Sequence, residues 1–251
     1  MLITTKGLVL REVSYKETDK ILTVLTAEGG LRTVKARGCR RKNSPLAASA
    51  QLLVYSEMTL FEYQDYWSLN EASSLDQFWG IKSDVELLAL GSYFSETMEA
   101  IAEEGRADPA LLSLILNSLY ALCKLQKPRS LVKAAYELRL MCLAGYEPQL
   151  DACAVCGAEA PAGACLNLSE GLLCCSGCRG GVGPGFAVPL LPQTLAALRY
   201  LVTCDPKRLF SFPIDPLGLQ NLSAVSEAFL VTQLERKFRT LDFYKQIRLG
   251  G

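Results

Sequence analysis

Histidine is absent from this sequence of 251 residues. Its absence removes the side chain that most often titrates near neutrality. With it go Ser-His-Asp triads, His general bases and zinc sites with His ligands. Neither sign of charge prevails, since Lys+Arg and Asp+Glu both total 26. Overall charge therefore gives no nucleic-acid signal, and any such signal must come from local clustering. No apolar run approaches the roughly 18–20 residues of a membrane span. No signal-peptide pattern precedes the strand-like start, so a cytoplasmic location is expected. No G-x-x-x-x-G-K-[ST] phosphate loop is present. Acidic residues are scattered apart from Glu103-Glu104, which argues against the converging carboxylates of a metal-dependent nuclease. A cysteine nucleophile would lack a histidine base. The expectation is a protein that is not an enzyme.

Half of the residues are hydrophobic, enough for a sizeable core in one large domain or two to three small ones. Residues 1–76 read as β. Strand patterns cover 2–13, 20–26, 31–37, 51–63 and 66–73. Glu28-Gly29-Gly30 and Gln64-Asp65 are turn signals, and 38–50 is one long connection. Five short strands of this kind fit a small barrel, with the OB-fold as leading candidate; an SH3-like barrel fits the same count. From about residue 79 the period becomes helical. Helices are expected over 85–102, from the Asp108-Pro109 start to 125, and over 131–142 with Gly145 closing the last. Residues 148–185 break the pattern. Two more helices are expected at 192–203 and 217–239.

The ten cysteines point to metal rather than disulfides when no secretion signal is seen. Cys153-Ala-Val-Cys156 and Cys175-Ser-Gly-Cys178 are two C-x-x-C knuckles, in the spacing range of zinc sites. Each knuckle aims two thiolates at one ion. Four thiolates fill a tetrahedron and leave no place for water, so such a site is structural. Cys174 is an alternative to Cys175, with Cys165 a weaker one. Cys39, Cys123, Cys142 and Cys204 read as small apolar residues.

Lys35, Arg37, Arg40, Arg41 and Lys42 fall within eight residues without an acid among them. Lys35 and Arg37 share a strand face, and the following loop adds the other three. Basic grooves with aromatic platforms bind single strands on OB-folds. Tyr15, Tyr55, Tyr63, Tyr66 and Trp67 are the nearby stacking candidates. A second basic group, Arg236, Lys237, Arg239, Lys245 and Arg248, reads as a solvated helix end.

Three segments together resemble the RecO family of bacterial recombination mediators. They are the run from Gly7 to Lys20, the run from Lys35 to Ser44, and the run from Tyr136 to Cys153 with its Gly145-Tyr146-Glu147-Pro148 turn. The run from Leu234 to Phe243 is a weaker fourth. The resemblance implies an α+β chain with an OB-fold at 1–78, a helical domain at 79–251 and a zinc module inserted at 148–185. It implies binding of single- and double-stranded DNA, strand annealing and help in loading RecA onto DNA coated by single-strand binding protein. The partners it implies are DNA, RecR, single-strand binding protein and, indirectly, RecA, in a bacterial cytoplasm near the nucleoid. The matching basic positions are Lys35, Arg37, Arg40, Arg41 and Lys42. The matching ligands of one structural Zn2+ are Cys153, Cys156, Cys175 and Cys178, with Cys175 rather than Cys174 favoured by the match at Ser169-Glu-Gly-Leu-Leu173. Asn43 stands where the family often has another basic residue. A zinc-containing protein adaptor without direct DNA binding is the competing expectation.

Overall fold

The computed structural model describes residues 1–64 and 66–250, with side chains through Arg248. The expected Gln64-Asp65 turn and the expected domain end at Gly251 thus fall in part outside the described residues. The chain forms two compact units, Met1–Lys124 with Phe238–Gly251, and Leu125–Lys237.

In the first unit, β1 (Leu2–Tyr15), β2 (Asp19–Thr26), β3 (Gly30–Ala36), β4 (Tyr55–Tyr63) and β5 (Tyr66–Asp76) close into a barrel. The order is β1-β2-β3-β5-β4. Only the β3–β5 seam is parallel, with Val34 opposite Trp67. This is an OB-fold-like barrel. β1 is long because it serves two neighbours: Leu2–Leu8 pair with β4 and Gly7–Tyr15 with β2. A bulge between Val9 and Arg11 bends it between them. At that bend Leu53 N donates to Val9 O at 2.8 Å, and Val9 N donates to Val54 O at 3.1 Å. That detour, with Leu53 at φ 59°, is why the fourth strand begins at Tyr55 and not at residue 51.

Alternation turns Leu22, Val24, Val34, Met58 and Leu60 inward, all 0 % exposed. Each such side chain contributes roughly 1.5–3 kcal/mol on burial. Cys39, Leu46 and Ala50 join the same core. The connection after β3 is therefore a packed cap and not a free loop.

Three helices follow, α1 (Trp79–Lys82), α2 (Val85–Ile101) and α3 (Pro109–Cys123). Asp108 caps α3 by accepting from Ala110 N and Leu111 N at 3.0 and 3.2 Å, with Pro109 in the first turn. A Cβ on Gly91 of α2 would sit 2.7 Å from Leu53 Cδ1, so the small residue permits that approach. The helix expected over 217–239 is instead two. The first ends at Gln233, Glu235 takes φ 48°, and α7 (Arg239–Gly250) starts afresh. Glu96 of α2 accepts from both the backbone N–H and the hydroxyl of Thr240. Phe238 packs edge-on to Tyr93 with centroids 6.0 Å apart.

The second unit holds α4 (Arg129–Leu143), α5 (Pro192–Thr203), α6 (Pro216–Gln233) and a small sheet. The sheet has β6 (Cys165–Asn167) between β7 (Leu172–Cys174) and β8 (Ala187–Pro189). Three-residue strands carry too little periodicity to be read from sequence. Arg139 of α4 donates to the carbonyls of Leu201, Val202 and Cys204 at the end of α5. Among the described residues, no helix is long and apolar enough to cross a membrane.

Candidate functional site

The two knuckles lie beside the small sheet of the second unit. In the first, Gly157 N donates to Cys153 O at 2.9 Å, and Cys153 N to Ala158 O at 2.9 Å. Gly157 takes φ 72° to make this turn. Ala154 N donates to Leu173 O, which fixes the knuckle to β7. In the second, Cys178 N donates to Cys175 O at 3.0 Å. The sulfurs of Cys153, Cys156, Cys175 and Cys178 all lie within 4.8 Å of one another. Cys156 and Cys175 are 3.6 Å apart. A tetrahedral zinc with 2.3 Å Zn–S bonds holds its sulfurs roughly 3.8 Å apart, so the cluster fits such an ion. Cys174 belongs to β7 and is fully buried, opposite Cys165. The geometry thus gathers Cys175, not Cys174, with the other three.

The protonation of this cluster also fits a cation. The backbone N–H groups of Cys156 and Cys175 hold Cys153 down to about 6. Burial, then hydrogen bonding to Cys156, pushes Cys175 up to about 12. A hydrogen bond with Cys156, then burial, pushes Cys178 up to about 11. Bare thiolates repel when crowded, and a soft or borderline dication relieves that repulsion. Arg199 of α5 braces the loop from outside. Its guanidinium donates to the carbonyls of Leu150, Asp151 and Glu159, each at 2.8 Å. Sequence reading missed Arg199, because nothing local marks a residue that reaches a loop some forty positions away.

The expected basic residues are spread over one end of the barrel. Lys35 is half-buried, while Arg37, Arg40, Arg41 and Lys42 are exposed. Lys35 Nζ lies 3.3 Å from Asp19 and 4.9 Å from the Tyr15 ring centroid. Asp19 also accepts from Gly38 N at 2.8 Å, and this bond, with Lys35, holds its carboxyl below the usual range. Arg40 N donates to Thr18 O at 2.9 Å. The β1–β2 turn therefore sets the base of the cationic loop. Among the described residues, Arg37, Arg40, Arg41 and Lys42 make no ion pair.

Lys35 and Arg37 open onto a groove of about 810 Å³ whose walls include Tyr15, Phe61, Tyr63, Tyr66 and Trp67. Four of the five aromatic candidates thus meet there. Tyr55 does not: it shares a strand face with Phe61 but sits at the far end of β4. There, burial and the nearby Glu28 raise its phenol. Phe61 was missed, since an apolar residue on a strand reads as core. A shallower cleft of about 390 Å³ continues past Arg37 to Arg41 and Asn43.

Comparison with known proteins covers both parts. The family model described as "Recombination protein O N terminal" matches residues 1–78. The one described as "Recombination protein O C terminal" matches residues 82–242. A protein named "DNA repair protein RecO" from Acetivibrio thermocellus is 31% identical, over 98% of this chain and 97% of its own. A namesake from Alkaliphilus metalliredigens is 29% identical, over 98% of this chain and 100% of its own. The chain belongs to the recombination protein O (RecO) family.

Proposed function

We propose that this chain is a non-enzymatic mediator of recombinational DNA repair. It binds single- and double-stranded DNA, anneals complementary strands and, with RecR, assists RecA loading onto DNA coated by single-strand binding protein. The observation that carries the reading is the set of unpaired cations, Arg37, Arg40, Arg41 and Lys42, next to Lys35 at the mouth of an aromatic groove. Cations without an acidic partner exchange counterions for phosphates, and two strands held against them no longer repel each other. The work is placed in the bacterial cytoplasm, at the nucleoid. The barrel, residues 1–78, has the DNA-binding role. The helical region, residues 79–251, has the protein contacts. Within it, residues 148–185 hold one structural Zn2+ through Cys153, Cys156, Cys175 and Cys178. Four thiolates leave the ion no open position, so it would hold the module's fold and supply no chemistry.

The test is DNA binding and strand annealing by the full chain, with and without single-strand binding protein. Reversing Arg40, Arg41 and Lys42 to Glu is expected to weaken binding by more than about tenfold at moderate salt and to flatten its salt dependence. Unchanged binding would overturn the DNA assignment and favour a pure adaptor.

A further inference from the structure

The four thiols gathered by the two knuckles are unequally sheltered. Cys153 is 2 % exposed, and its sulfur accepts from Cys175 N at 3.4 Å. Cys175 and Cys178 are half-buried, whereas Cys156 is exposed. Among the described residues it is the one exposed cysteine of the chain. Cys165 and Cys174 are fully buried in the same apolar cluster as Cys153. A Cβ on Gly157, next to Cys156, would meet no atom within 4 Å. The corner of the first knuckle therefore stands open to small solutes. The sulfur of Cys175, on the second knuckle, lies 3.6 Å from that of Cys156.

We infer that Cys156 is the entry point of a peroxide switch, which unlocks the zinc module through a Cys156–Cys175 disulfide. The inference rests on the ligand reading above. Coordination keeps a thiol deprotonated, and the thiolate is the form that peroxides oxidise. The Cys156 thiolate attacks hydrogen peroxide and breaks its O–O bond. It becomes a sulfenic acid, and hydroxide leaves. The Cys175 thiolate then attacks that sulfur, the S–S bond forms and a second hydroxide leaves. The two sulfurs give up two electrons, and the peroxide takes them. Closing the bond brings the sulfurs about 1.6 Å nearer than they stand. The bond joins the two knuckles and removes half of the ligand set, and two thiolates hold the ion far less tightly than four. A dithiol reductant returns both sulfurs. The switch acts on the region to which the protein contacts are assigned. The barrel stays outside it, because its one cysteine, Cys39, is 3 % exposed in the core.

The experiment treats the zinc-loaded full chain with excess hydrogen peroxide. Zinc release is followed with a chromophoric chelator, and disulfides are mapped by peptide mass spectrometry after alkylation. Zinc is expected to leave in step with formation of the Cys156–Cys175 link, and residues 148–185 should become open to protease. Dithiothreitol with added zinc should restore the starting state. Cys156→His keeps a closed ligand set of three cysteines and one histidine and removes the entry sulfur. Its zinc release should be slower by about tenfold or more. Release at the wild-type rate from Cys156→His would overturn the switch. So would a wild-type map in which Cys156 stays reduced or pairs elsewhere, and that map decides even where the variant takes up no zinc. Zinc held by the wild type against the peroxide would overturn the switch and leave the ligand set standing. A wild-type chain that takes up no zinc at all would overturn both.

Discussion

Arg37, Arg40, Arg41 and Lys42 of the barrel point into solvent, whereas Lys133, Arg139 and Arg199 of the Leu125–Lys237 unit turn inward. Lys133 is 2 % exposed and lies 2.7 Å from Glu137 and 2.8 Å from Glu227. Arg139 and Arg199 each hold three backbone carbonyls. The same residue types thus serve opposite ends. A cation that already has internal partners fixes packing and has little left for a ligand. An exposed cation without an acidic partner adds little to stability and keeps its full charge for a polyanion. Substitutions in the two units should therefore separate stability from DNA affinity.

The largest separation is expected at the cysteine cluster. Structural zinc binding in small modules is worth about 10–16 kcal/mol of folding free energy near neutral pH. A Cys153→Ser/Cys156→Ser variant should lose stoichiometric zinc by elemental analysis and expose residues 148–185 to protease. Its affinity for an oligonucleotide should stay near that of the parent. Full zinc content would refute the ligand set, and loss of DNA binding in a folded variant would refute the division between units. Acid should act in the same direction. Without metal Cys153 ionises at about 6, while Cys175 and Cys178 stay protonated up to about 12 and 11. Between these limits zinc must displace at least the two protons of Cys175 and Cys178. Within that range apparent affinity should then rise with pH by at least about a hundredfold per unit, one factor of ten for each proton displaced. Competition with a chromophoric chelator from pH 6.5 to 8.5 measures the slope.

Next in size is Lys133→Met. It removes the ammonium 2.7 Å from the fully buried Glu137 and keeps the hydroxyl of Ser226, which donates to that carboxylate at 2.8 Å. Removing one partner of a buried ion pair costs about 3–5 kcal/mol. That should lower Tm by on the order of 10 °C. Arg41→Met, an equal loss of charge on the barrel, should move stability by no more than about 0.5 kcal/mol. Similar Tm shifts for the two variants would break the comparison.

Much of this was legible in the sequence because it is local. The C-x-x-C pairs place thiols by spacing alone, and strand alternation sorts the barrel core. What escaped reading depends on distant partners. The break before α7 has no glycine or proline to announce it, since Glu235 takes the left-handed turn. The new helix is then started by Glu96, more than a hundred positions upstream. Tyr55 and Phe61 lie on one strand face, yet they are about 20 Å apart along β4 at the usual rise per residue. Periodicity gives the face of a strand but not which end of the barrel it reaches.

Arg199 offers a finer cut. Arg199→Met removes three charge-assisted bonds to the carbonyls around the first knuckle. Bonds of this kind contribute roughly 1.5–3 kcal/mol, so zinc affinity should fall about tenfold or more while zinc stoichiometry at saturation is kept. Arg199→Lys, with one charge but no fork, should recover only part of the loss. A chelator titration that shows wild-type affinity in both variants would make the brace incidental to the metal.

The smallest effect is expected where the two patterns meet, at Lys35. Among the described residues it is the one cation of the basic segment with an acidic partner, Asp19 at 3.3 Å. Asp19→Asn removes the competing charge, and the amide oxygen can still accept from Gly38 N, so the base of the loop is kept. Lys35 then resembles Arg37 and Arg41, with its full charge available to phosphate. Adding one effective phosphate contact steepens the dependence of log K on log salt by about 0.7 for a single strand. Affinity for oligo-dT should therefore rise a few-fold at low salt, and the gain should vanish as salt screens it. Weaker binding at every salt concentration would mean that Asp19 serves DNA by shaping the loop more than it opposes DNA by its charge. Lys35 would then belong with the inward-turned cations of the other unit.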